Sequence, residues 1–98
     1  MNALELLTEI KSKLTKCYEK ETNIIIMYKH NGLDLVLHMD VEDVDVDTPN
    51  LIYITDGVNT FSIDETKVIH IEKFEEVVGV HYEIELENDE CVVISFIA

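Results

Sequence analysis

Three aspartates at alternate positions, Asp43-x-Asp45-x-Asp47, have the spacing with which calcium loops begin. Such a loop also needs glycine at its sixth position and a bidentate glutamate at its twelfth. Here those positions hold Thr48 and Ile54, so no calcium site is expected. His30, His38, His70 and His81 form neither HxH nor HExxH, and zinc is offered no spaced ligand set. Cys17 and Cys91 stand far apart and outside any CxxC pair. They read as small apolar residues in a reducing compartment, with a single disulfide as the other reading. No GxSxG, P-loop or GxGxxG motif occurs, and Gly32, Gly57 and Gly79 are too dispersed to cradle a phosphate. Paired carboxylates such as Glu83 with Glu85 or Glu75 with Glu76 act as acid and base only where a cleft drives their pKa values apart. A chain of 98 residues with one helix offers little cleft. The expectation is therefore no enzyme, no cofactor and no metal.

What remains is charge. The chain has 21 Asp and Glu against seven Lys and no Arg, a formal net charge of −14. Direct binding to nucleic acid, which needs cations facing phosphates, is excluded on that balance. The distribution is uneven. Through Lys29 there are four acids and five lysines; from His30 onward there are 17 acids against Lys67 and Lys73. All the net negative charge belongs to the second part. No apolar run approaches the roughly 20 residues of a membrane-crossing helix. The opening Met1-Asn2-Ala3-Leu4-Glu5 puts no cationic segment before an apolar stretch, so a cytoplasmic location is expected.

The elements that carry these charges follow from periodicity. Leu4, Leu7, Ile10, Leu14, Cys17 and Tyr18 recur at steps of three and four. That makes residues 1–21 an amphipathic helix, centred on Ala3 to Lys20 and capped by Asn2. Residues 22–98 alternate with period two. Asn31-Gly32 predicts a hairpin pairing Tyr28 with Leu35, Ile26 with Leu37 and Ile24 with Met39 on the buried face. Asp56-Gly57-Val58-Asn59 predicts a second, pairing Ile54 with Phe61 and Ile52 with Ile63. Asn88-Asp89 predicts a third, pairing Leu86 with Cys91, Ile84 with Val93 and Val80 with Ile97. The fold class is α+β: one N-terminal amphipathic helix packed on an antiparallel meander sheet of about five to seven strands, in a single domain spanning 1–98. One place breaks the rhythm. Leu37, Met39 and Val41 are odd, Val44 and Val46 even, so the phase flips near Glu42-Asp43. A bulge or break is required there, and an acidic edge strand or loop is expected from Asp40 to Asn50.

Outward strand positions place the acids in rows. Same-face carboxylates recur about every 6.6 Å along a strand, while phosphates of one nucleic-acid strand recur about every 7 Å or less of backbone, about 3.4 Å of axis rise. Such rows present a basic cleft with a phosphate-like pattern. The primary patch expected is Asp40, Glu42, Asp43, Asp45 and Asp47, followed by Glu83, Glu85 and Glu87, with Tyr53 as an anchoring aromatic. In size, charge and α+β layout the chain resembles phage-encoded inhibitors of nucleic-acid enzymes, such as anti-CRISPR, anti-restriction and uracil-DNA glycosylase inhibitor proteins. It is similar in the same terms to immunity proteins that cap basic toxin nucleases. The resemblance carries over no site residues. It implies an acidic inhibitor that occupies the basic nucleic-acid-binding cleft of a nuclease or CRISPR effector. The alternative is a homodimeric structural or adaptor module. The final strand, apolar on both faces, is either central and covered by the helix or part of an interface, which leaves edge-to-edge homodimerisation open.

Overall fold

The computed structural model describes residues 2–20 and 22–97. Met1, Glu21 and Ala98, the ends assigned above to helix and sheet, lie outside the described residues. Helix α1 (Ala3–Lys20) is followed by β1 (Asn23–His30), β2 (Leu33–Asp40), β3 (Asp43–Asp45), β4 (Leu51–Thr55) and β5 (Thr60–Asp64). A short 3-10 turn (Glu65–Lys67) leads into β6 (Val68–Glu76), β7 (Gly79–Leu86) and β8 (Glu90–Ile97).

Asn2 caps the helix: its Oδ1 accepts from the Glu5 N–H at 2.9 Å, and its carbonyl accepts from the Leu6 N–H at 3.1 Å. The buried stripe is Leu6, Leu7, Ile10 and Leu14, with Ala3 and Cys17 packed beside it. This corrects the expected face. Leu4 is 71% exposed and Tyr18 is 45% exposed, because the helix lies on the sheet rotated toward Leu6. Either face satisfies the 3.6 period.

The strands are antiparallel and fall into two sheets, one of five strands in the order β2-β1-β8-β7-β6 and one of three in the order β3-β4-β5. Inward residues of the large sheet form one core with the helix stripe and with Ile52, Ile54 and Ile63 of the small sheet. Helix and small sheet therefore share the inner face of the large sheet, and among the described residues no element covers its outer face. The phase flip at Glu42-Asp43 is the chain leaving one sheet for the other: Met39 and Val41 are buried in step with β2, after which β3 pairs with β4.

The first two hairpins have the expected registers, Tyr28 opposite Leu35 and Ile54 opposite Phe61. The third is corrected by one residue. Residues 87–89 form the turn, with Asn88 and Asp89 at φ 64° and 59°, so Leu86 pairs with Glu90, Ile84 with Val92 and Val80 with Phe96. Val92, Ile94 and Phe96 thus point into the core, and Cys91, Val93 and Ile97 do not. The strand is apolar on both faces, so alternation alone could not choose. The selected register sets Phe96 edge-on to Tyr82, with ring centroids 5.9 Å apart. β8 is also central, paired with β1 on one side and β7 on the other. Edge-to-edge association through β8 is closed, and of the two readings of this strand the covered, central one holds.

Candidate functional site: the acidic surfaces

The five acids of the expected primary patch are divided between two settings, and Glu83 and Glu85 of the second group occupy a third. Asp40 and Glu42 sit where the chain crosses between the sheets. Together with Val41 and the helix-end residues Tyr18 and Glu19 they line an open depression of about 770 Å³. The Glu42 N–H donates to the Thr55 carbonyl at 2.9 Å, which ties the crossover to β4. The Glu42 carboxylate rests over Gly57, where an added Cβ would meet Oε2 at 2.5 Å. A glycine at φ +88° therefore makes room for this acid as well as for the turn.

Asp43 and Asp45 stand on β3, the edge of the small sheet, opposite Thr55 and Tyr53. Tyr53 is half-buried on the outward face of that sheet. Asp45 is committed to its own loop. Its carboxylate accepts from the Thr48 hydroxyl at 2.5 Å and from the Asp47 and Thr48 N–H groups at 3.1 Å each. The Thr48 hydroxyl, then the Thr48 amide, hold this carboxyl below the usual aspartate range. Asp47 is exposed beyond it.

Glu83 and Glu85 lie on the outer face of the large sheet, both exposed on β7. Glu83 faces Glu72 directly across the β6–β7 ladder, and Glu85 faces His70. Two like charges opposite each other destabilise a sheet. Glu72 is relieved in part by His70, whose Nε2 lies 3.1 Å from its carboxylate. On the same face His81 stacks on Phe74, with centroids 4.9 Å apart. Glu87 is not part of this row. It lies in the β7–β8 turn, where its N–H donates to the Lys67 carbonyl at 3.0 Å.

Among the described residues, none of the eight acids named from the sequence makes a salt bridge. Of the two lysines in the acid-rich part, Lys73 is engaged by Glu9 and Glu75. Burial, then the Glu83 carboxylate, raise the neighbouring Cys91 thiol above its ordinary pKa. Cys17 and Cys91 are both free. Sequence reasoning missed Glu19 and Tyr18, which reach the Asp40–Glu42 crossover only through tertiary packing. It also left Glu72 out of the site; the β6–β7 pairing that aligns Glu72 with Glu83 spans a turn, Val77-Val78, without a turn-forming residue at either position. Among the described residues no helix is long and apolar enough to cross a membrane. No family model, curated protein or solved structure matches the chain.

Proposed function

We propose that the protein is a cytoplasmic, non-enzymatic inhibitor that places its carboxylate rows in the basic nucleic-acid-binding cleft of an enzyme, as a phage counter-defence factor of the anti-CRISPR or anti-restriction kind would. The observation that carries the reading is the opposed pair Glu72 and Glu83, with Glu85 beside them, fixed on adjacent strands. Neighbouring strands lie about 4.8 Å apart and same-face residues about 6.6 Å apart along a strand. Three carboxylates at those intervals match the pitch of phosphates closely enough to meet the same lysine and arginine rows. The arrangement costs folding stability through repulsion, and solubility alone would be served as well by dispersed charges. Asp40, Glu42, Asp43 and Asp47 extend the acid surface around the edge of the small sheet. An immunity protein against a basic nuclease would use the same chemistry, and the identity of the inhibited enzyme separates the two.

The test is inhibition of a panel of nucleases, restriction enzymes and CRISPR effectors in DNA-cleavage assays at low and high salt. Inhibition of at least one enzyme at low salt, relieved by salt, is the expected result. The triple variant Glu72→Gln, Glu83→Gln, Glu85→Gln should lose it while remaining folded. A second variant, Asp40→Asn, Glu42→Gln, Asp43→Asn, should weaken it less. If a target is found and neither variant alters its inhibition, the acid surfaces are not the contact.

A further inference from the structure

We propose that the free edge of β2 is a self-association surface, pairing antiparallel with β2 of a second copy so that the two large sheets join into one. Among the described residues four strands have an unpaired edge: β2 and β6 in the large sheet, β3 and β5 in the small one. Three of them are short or interrupted. β3 spans three residues and β5 five. β6 breaks register between Val68 and His70 and carries Glu72, Glu75 and Glu76. Bulges, charges and short length are the devices that block edge pairing. β2 is neither short nor bulged, and its charges are Asp34 and Asp40, one at each end. It runs eight residues in unbroken register with β1, without Pro, Gly or Lys.

Its backbone phase is set by the hairpin. Asn31 and Gly32, at φ 47° and 80°, form a two-residue turn that closes on the pair His30 and Leu33. The closing pair of such a turn is hydrogen-bonded. The backbone groups of Leu33, Leu35, Leu37 and Met39 therefore face β1. Those of Asp34, Val36, His38 and Asp40 face outward as a free ladder. Around them Leu33 is 63% exposed, Leu35 48% and Val36 46%.

Side chains then select the occupant and the register. With Val36 on the two-fold axis, Val36 meets its own copy through a hydrogen-bonded pair. Asp34 faces the partner's His38, a carboxylate opposite an imidazole N–H donor, and symmetry repeats this contact. Leu35 faces the partner's Leu37; Leu33 stands opposite the partner's Met39, whose side chain is already buried in its own core. Sliding by one step in one direction sets Asp34 against the partner's Asp40, and in the other sets it against the partner's Val36. Only the Val36-centred register matches charge, donor and apolar ladder together. Asp40 then faces the partner's Gly32, which brings the partner's turn toward the open depression that Asp40 lines with Tyr18 and Glu19.

Sedimentation equilibrium over a dilution series tests this, independently of any inhibitory role. The expected wild-type mass approaches twice 11.3 kDa at the high end. Val36→Lys should stay monomeric there. His38→Asp, at an exposed position, should weaken association about tenfold, because two like pairs replace two complementary ones. Asp34→His combined with His38→Asp restores the complementary pairs and should recover the wild-type value. A wild-type chain that is monomeric throughout overturns the proposal. So does a Val36→Lys variant that remains dimeric, or a double variant that behaves like His38→Asp.

Discussion

The Tyr82 hydroxyl donates to the Glu9 carboxylate at 2.5 Å, joining the middle of β7 to helix α1 across 73 positions of sequence. Tyr82 is fully buried, and Lys73 pairs with the same carboxylate from β6. The Lys73 ammonium, then the Tyr82 hydroxyl, hold the Glu9 carboxyl below its ordinary value of 4.5. Burial, then Glu9, push the Tyr82 hydroxyl upward. Tyr82→Phe should cost about 1 kcal/mol, since Lys73 still satisfies Glu9, and Glu9→Gln about 1–2 kcal/mol. The pH dependence has a definite sign. A carboxyl with a lowered folded pKa contributes stability above its unfolded value of 4.5, and loses it as pH falls through the folded value. Urea midpoints of wild type and Glu9→Gln should differ at neutral pH and converge in acid; a gap that persists at the acid end would assign the effect to packing.

Gly57→Ala combines two costs. The residue sits at φ +88°, and its Cβ would meet Glu42 Oε2 at 2.5 Å. The left-handed conformation alone costs about 1–2 kcal/mol for a residue with a side chain. The Glu42 carboxylate can move, being the end of a flexible side chain, so the expected loss in a thermal or urea melt stays near that range. Gly57→Ala in a Glu42→Ala background should lose slightly less. Equal losses in both backgrounds would show that only the backbone conformation matters.

Salt should raise the melting temperature. From His30 onward 17 acids face two lysines, and surface repulsion of that kind is screened over a Debye length of about 10 Å at 0.1 M. Calorimetry at low and at 0.5 M sodium chloride, on the order of a Debye length of 4–5 Å, checks the sign. A melting temperature that falls on adding salt would mean that attractive pairs such as Lys11 with Glu65, 2.5 Å apart, outweigh the repulsion.

Local chemistry was legible in the sequence and long-range pairing was not. Asn31-Gly32 and Asp56-Gly57 fixed two registers because each turn admits one pairing that keeps the apolar residues on one side. Asn88-Asp89 misled because both faces of β8 are apolar, so a shift of one residue leaves the pattern intact. The odd-to-even flip after Val41 announced a discontinuity, but nothing local says that it leads to a second sheet. The insertion of β8 beside β1 likewise depends on contacts 70 positions apart, such as Ile25 with Ser95. For the site, exposure of the individual acids was readable from alternation. Their grouping was not: Glu19 joins Asp40 and Glu42 only through packing of the helix end, and Asp45 is withdrawn by Thr48.

Glu83→Gln separates a useful charge from an incidental one. Glu83 faces Glu72 across the ladder and is exposed, so neutralising it removes a like-charge pair worth about 0.2–1 kcal/mol. The variant should melt at a higher temperature than wild type. If the row engages a basic cleft, the same change removes a contact to a lysine or arginine of the target and inhibition weakens, with the larger effect at low salt. Stability and inhibition then move in opposite directions, as expected where a strained surface is retained for binding. A surface that is acidic for solubility alone predicts a different result: the melting temperature rises and inhibition of any enzyme is unchanged. Parallel melts and cleavage assays on wild type, Glu83→Gln and Glu72→Gln decide between them.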